Sequence, residues 1–367
     1  MREFRTSFLV LMTTVAVFAS GAASAAPNGT CSPPGAWAAA ADFPDALVRS
    51  WGAFFPPTGK FYVLGGRDSD DAGSDLQQVS EYDPALGTWT TKDGTFADGQ
   101  VNNMVGGVLD FGGTSYIVVL GGSAAGATTT TDEVRQYDPV ADVVTTLADD
   151  PWPGAADGIT LPGGAAVHDN KLYVFGGFQV NVGMVDTIYT FDPSAAAGSR
   201  WTQSAATLPV TRGYIPTAAS GDFIYLLGGS DFDTSGSTPV VLDTSDSFVY
   251  DPIGDAITTI TQIPRATGET RAVTQPDGTI WVLGGGRTDP NPSNEVDVYT
   301  PDTDSWTTGP AFPTPRRNFA ADVDPATGNV WATGGYDTGG LLSVNEQFTA
   351  CAVVDDTIFV DGFDGPV

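Results

Sequence analysis

Phe61-Tyr62-Val63-Leu64-Gly65-Gly66, followed by Tyr82-Asp83-Pro84 and then by Trp89, is the stretch that decides how this chain folds. Its first four residues are apolar and the run is bounded by turn formers, the pattern of a short strand buried on both faces. Gly-Gly ends such a strand because glycine takes positive φ and lets another backbone approach. Asp-Pro opens a turn, since proline fixes φ and aspartate bonds the backbone ahead of it.

The signature recurs. Runs of the same kind occupy 117–122, 172–177, 224–229, 280–285 and 330–335, and their first glycines are separated by 56, 55, 52, 56 and 50 residues. The second marker returns as Tyr137-Asp138-Pro139, Phe191-Asp192-Pro193, Tyr250-Asp251-Pro252 and Tyr299-Thr300-Pro301, and decays to Phe348-Thr349-Ala350. Trp306 follows Tyr299 by seven residues as Trp89 follows Tyr82, and Trp201 follows Phe191 by ten, as if 195–198 were inserted. Val144 and Ile257 fill that position in the second and fourth repeats. Upstream of each Gly-Gly run lies another short strand and a hairpin turn, as in Ala165-Ala166-Val167 before His168-Asp169-Asn170. Each unit is therefore about four antiparallel strands, the content of one propeller blade.

Strand–Gly-Gly, Tyr-Asp-Pro and Trp at a period near fifty resemble the kelch repeat, over roughly Trp37 to Ala352. The resemblance implies an all-β, six-bladed kelch β-propeller. The sixth repeat lacks a Trp strand, whereas Trp37 has no marker upstream of it. The N-terminal strand is thus expected to complete the last blade, removing free sheet edges. Cys31 lies six residues before Trp37 and Cys351 three after Phe348, so a disulfide across this seam is expected.

The two ends read differently from the repeats. Arg2 and Arg5, an apolar run over 8–18 and Ala23-Ser24-Ala25 make residues 1–25 a signal peptide by pattern, which implies secretion to the periplasm or beyond. The propeller is then expected over 26–354, followed by an acidic tail at 355–367.

Charge is the compositional outlier. Fifteen Lys+Arg stand against 44 Asp+Glu, a net of −29 that becomes −30 when Arg2, Glu3 and Arg5 are removed (−29 − 2 + 1). Such a surface repels phosphate backbones and anionic lipid heads, which argues against nucleic acid and membrane partners. An extracellular glycan or protein and a monomeric state are the expectations.

Candidate chemistry is sparse. His168 is the one histidine, in a turn, which argues against a two-histidine copper site of the galactose oxidase kind. No G-x-S-x-G elbow and no repeated S-x-D-x-G-x-x-W box occurs. The sialic acid mutarotases, six-bladed kelch proteins, imply an arginine and an acidic residue at the channel. Candidates facing it are Arg49, Arg212, Glu269, Arg271, Arg316 and Arg317; kelch arginines at such positions also serve to bond loops. Loops after Gly-Gly are expected on one rim, where Arg67, Phe178, Phe232, Arg287 and Tyr336 form a candidate binding surface. Asp231-x-Asp233-x-Ser235-Gly236 matches the opening of a calcium loop, although Leu242 stands where the closing Glu belongs; Ca2+ is the one candidate ion, and no other cofactor is expected. The reading favoured is a secreted, non-catalytic binding module that uses one propeller rim. The alternative is a carbohydrate-active enzyme of the mutarotase type.

Overall fold

A computed structural model describes residues 35–236, 239–287 and 291–350. Cys31, Cys351, the leader and the acidic tail lie outside the described residues, and with them the expected disulfide.

The described residues form six four-stranded antiparallel sheets and one small hairpin. Blade one holds, from the inside outward, Trp51–Phe55, Lys60–Leu64, Gln78–Asp83 and Thr88–Thr95. The innermost strands of the other blades are Val105–Asp110, Thr160–His168, Thr217–Ser220, Arg271–Thr274 and Ala320–Val323. Each inner strand packs beside the next, and Ala320–Val323 packs beside Trp51–Phe55, so the ring closes. The sixth sheet takes its outermost strand from the other end of the chain: Ala36–Ala39 pairs with Asn345–Thr349, with Trp37 opposite Phe348.

The apolar runs lie where their composition sends them. Phe61, Tyr62, Val63 and Leu64 are all buried, and each interface between blades is a core of its own. Between blades six and one, the Trp331 ring stacks on Phe54 at a centroid distance of 5.2 Å. The outer-strand tryptophans tie neighbouring blades together. Trp89, Trp201, Trp306 and Trp37 donate their indole N–H to the carbonyls of Ala41, Asp150, Thr261 and Pro310, each on the chain leaving the preceding blade. Buried or half-buried indoles need such an acceptor.

A further blade marker carries no obvious sequence signal. Asp142, Asp255 and Asp304 stand five residues after Tyr137, Tyr250 and Tyr299, in left-handed conformation, and accept their hydroxyl protons at 2.8–2.9 Å. The same carboxylates accept backbone N–H groups at Gly94, Ala205 and Thr261 on or beside the outer strand of the preceding blade.

The glycine pairs behave as expected except in blade three. Gly65 and Gly66 take φ of 64° and 93°, which an L side chain rarely adopts. In blade three only Gly176 is left-handed; the strand continues as Lys171–Gln179 through a register shift between Phe175 and Gly177. That extension carries Phe178 onto the rim.

An arginine-rich mouth on the central channel

The chain enters the inner strands through five residues, of four types, that share a conformation. Arg49, Asn103, Tyr214, Glu269 and Asn318 have φ of 60°, 61°, 50°, 55° and 54°. Left-handed backbone costs an ordinary residue ~1–2 kcal/mol. Here a chain of backbone hydrogen bonds around the channel sustains it. Asn103 N donates to Arg49 O at 3.0 Å, Arg49 N to Asn318 O at 2.8 Å, Asn318 N to Glu269 O at 2.6 Å and Glu269 N to Tyr214 O at 3.2 Å. All five residues line one small cavity at the mouth.

Glu269 is the hub. Its side chain is 1% exposed. One oxygen accepts Arg287 Nε at 2.7 Å and Nη2 at 2.5 Å, and the other accepts Arg317 Nη1. Burial pushes the carboxyl up, but Arg287, Arg317 and Arg49 together bring it below its ordinary value. It is therefore an anion at neutral pH. Arg49 makes no side-chain hydrogen bond among the described residues, and its Nε is buried without a partner.

The rim loops join this hub. The Arg317 guanidinium lies over the Tyr336 ring, 4.9 Å from its centroid. The Tyr336 hydroxyl meets Asp70 at 2.5 Å and accepts Arg67 Nη2 at 3.0 Å, and Arg67 also pairs with Asp70. On the other side the mouth is aromatic: the Phe178 ring lies 5.8 Å from Tyr214 and 5.2 Å from Phe232. Burial raises the Tyr214 hydroxyl, with Arg49, Glu269, Arg287 and Arg317 all near enough to act on it. Thus Arg67, Phe178, Phe232, Arg287 and Tyr336 are brought to one opening, beside Arg49, Glu269 and Arg317. Four guanidinium groups (Arg49, Arg67, Arg287, Arg317) stand there against three carboxylates, Glu269, Asp70 and the Asp243 that accepts Arg287 N at 2.6 Å. These guanidinium groups stand on a chain of net −29. Planar guanidinium groups around an aromatic wall suit a carboxylate carried on a ring.

A family model described as Kelch motif matches residues 270–313. Kelch-like protein 35 of Mus musculus is 30% identical over 158 residues, 43% of this chain and 23% of that protein. Kelch-like protein terF of Aspergillus terreus is 26% identical over 203 residues, 53% of this chain and 41% of that protein. The solved structure of YjhT superposes with a TM-score of 0.61 at 16% identity, covering 84% of this chain and 95% of that one. This chain is a kelch-repeat β-propeller. It spans less than half the length of the curated relatives it matches, and its likeness to YjhT concerns the fold alone.

Within the kelch propeller, two arginines expected at the channel belong to the wall instead. Arg316 is fully buried, donates to the carbonyls of Ala332, Gly334 and Val344, and pairs with Glu346 at 2.6 Å. Arg212 is 4% exposed and pairs with Asp246 at 2.6 Å. Both do what Arg135 does in blade two, binding loop carbonyls or carboxylates between blades. Neither lines the channel cavity. Arg271 does, together with Asp322, which sequence reasoning missed because an aspartate inside Ala320–Val323 carries no motif.

The calcium-loop match also meets a different geometry. Asp231 and Asp233 lie in the strand Ser230–Asp233, paired with Val240–Asp243, and each accepts a backbone N–H, from Phe232 and Ser235 respectively. An extended strand does not wrap ligands around an ion as a calcium loop does. Among the described residues no group of three or more His, Cys, Asp and Glu gathers as a metal site. His168 ends the strand Thr160–His168 at its hairpin turn, 3.5 Å from Asp169. No helix among the described residues is long and apolar enough to cross a membrane.

Proposed function

We propose that this propeller is a secreted, non-catalytic binding module whose channel mouth takes a carboxylate-bearing glycan. The observation that carries the reading is Arg49. It is a guanidinium at the rim of the Glu269 cluster with no hydrogen-bond partner among the described residues, on a protein otherwise dominated by acid. Long-range repulsion from the acidic surface disfavours polyanions, but it is screened over ~10 Å at ordinary ionic strength. A single carboxylate inside the mouth feels mainly the local arginines. The Phe178–Tyr214–Phe232 wall supplies the apolar face that a sugar ring packs on.

The enzymatic alternative rests on the same Glu269. A general base works best with a pKa near the working pH, whereas Glu269 is held below its ordinary value and paired twice. That places binding ahead of proton transfer. A glycan array comparing acidic with neutral sugars tests the reading: retention of uronic- or sialic-acid-terminated glycans, lost in Arg49→Ala, supports it. Equal retention of neutral glycans contradicts it. Ligand-dependent anomer interconversion abolished by Glu269→Gln with binding intact would favour the enzyme.

A further inference from the structure

Below the mouth, the six inner strands enclose a bore of 480 Å3. That volume lies within the ~300–1,000 Å3 of small-molecule sites. Its wall is made of small and aliphatic residues, among them Gly107, Ala166, Ala219 and Val323, and of the Trp51 and Phe54 side chains. The mouth and the bore share Ile215, Thr270 and Arg271, so Arg271 stands on the boundary between them.

The polar groups of the bore divide into two kinds. The hydroxyls of Thr217, Thr270 and Thr274 are spent on backbone carbonyls of Ile215, Leu283 and Ala219. The others are not satisfied in this way. Arg271 reaches across from blade five to blade one, where Nη2 donates to Ser50 O at 2.8 Å and the guanidinium lies 4.4 Å from the Trp51 ring centroid. Its Nε and the indole Nε1 of Trp51 are both buried without a partner. Asp322, on the neighbouring inner strand, accepts Phe54 N at 2.7 Å and its neighbour Val323 N at 2.8 Å. Arg271 and Asp322 act on each other electrostatically, yet they form no ion pair. Each is held apart from the other by its own backbone partners.

An opposite-charge pair kept out of contact in an apolar cavity is costly unless something of complementary charge lies between its members. A simple anion would satisfy Arg271 and repel Asp322; a simple cation would do the reverse. From the separated Arg271–Asp322 pair and the apolar wall, we propose that the bore is a binding site for a free α-amino acid with an apolar side chain. Its carboxylate meets the Arg271 guanidinium, its ammonium group faces Asp322, and its side chain packs among Val108, Val167 and Val323. The site shares Arg271 with the mouth but does not rest on the glycan reading.

Titration calorimetry with L-phenylalanine tests this, using 3-phenylpropionate, which lacks the amine, and phenethylamine, which lacks the carboxylate. Phenylalanine binds one to one, and each analogue binds at least tenfold more weakly. Arg271→Met weakens phenylalanine tenfold or more, and Val108→Trp, which fills the bore from another wall, does the same without touching either charge. Ile253→Ala, on the exposed outer surface, leaves the affinity unchanged. The proposal is overturned if phenylalanine does not bind, if phenylpropionate binds as tightly, or if binding is indifferent to Val108→Trp.

Discussion

At the mouth of the channel Glu269 is gripped by Arg287 and Arg317, while in the bore Asp322 faces Arg271 without touching it. Glu269 is buried and Asp322 partly so, yet they respond in opposite directions. Glu269 is driven below its ordinary pKa once its arginines outweigh its burial. Asp322 is pushed up to about 6 by burial, which the Phe54 and Val323 amides and distant Arg271 only partly offset. The difference teaches that a carboxylate beside an arginine is not defined by that neighbour alone. Contact makes Glu269 part of the framework, and separation leaves Asp322 with backbone N–H partners but no counter-charge in contact.

Breaking the contact at the mouth has the largest expected effect. Glu269→Ala strands Arg287 and Arg317 against each other; both keep partial contact with water, so the cost falls below that of a fully buried pair, to about 2–3 kcal/mol. Denaturant unfolding at neutral pH measures it. Because its pKa is lowered, the stability Glu269 supplies is present above its ordinary value of 4.5 and is lost as pH falls through its folded value.

Asp322 gives the opposite sign. With a folded pKa raised from 3.8 to about 6, its contribution favours the fold below pH 3.8 and is lost as pH rises through 6. Asp322→Asn therefore stabilises at pH 8 and is neutral near pH 3.5. The side chain is only partly shielded in the bore, and after discount for screening the gain at pH 8 is about 1–2 kcal/mol. Thermal melts of both variants across pH sharpen the comparison: their difference curves run in opposite directions.

The backbone ring that builds the mouth gives the smallest effect. Asn103, at φ 61°, accommodates glycine readily. Asn103→Gly is expected to be near neutral and Asn103→Ala to cost about 1 kcal/mol, as read from chemical denaturation midpoints.

The fold was legible because its determinants are local. Gly-Gly, Tyr-Asp-Pro and Trp each dictate a strand end, a turn or an inter-blade hydrogen bond within a few residues, and Trp37 was conspicuous as an outer-strand marker without a blade. The mouth was only partly legible. Arg49, Glu269 and Arg317 stood out as charges before inner strands, but so did Arg212 and Arg316, which turn into the wall. Left-handed backbone marks Arg49 and Glu269, together with Asn103, Tyr214 and Asn318, while Arg317 reaches the mouth through its contact with Glu269. Asp322 was invisible because one aspartate among 44 acidic residues has no signature until the ring sets it opposite Arg271. Asp231 and Asp233 show the converse, since alternating aspartates also suit one face of a hairpin strand.

The central claim, that the mouth recognises a carboxylate, is tested most directly by titrating D-glucuronate and D-glucose into the wild type and Arg49→Ala. Arg49 has no hydrogen bond to lose among the described residues, so the variant should fold, losing only its electrostatic support of Glu269. Saturable glucuronate binding that falls at least tenfold in Arg49→Ala, with no binding of glucose, is the predicted result. Equal binding of the two sugars, or glucuronate binding indifferent to Arg49, would contradict it.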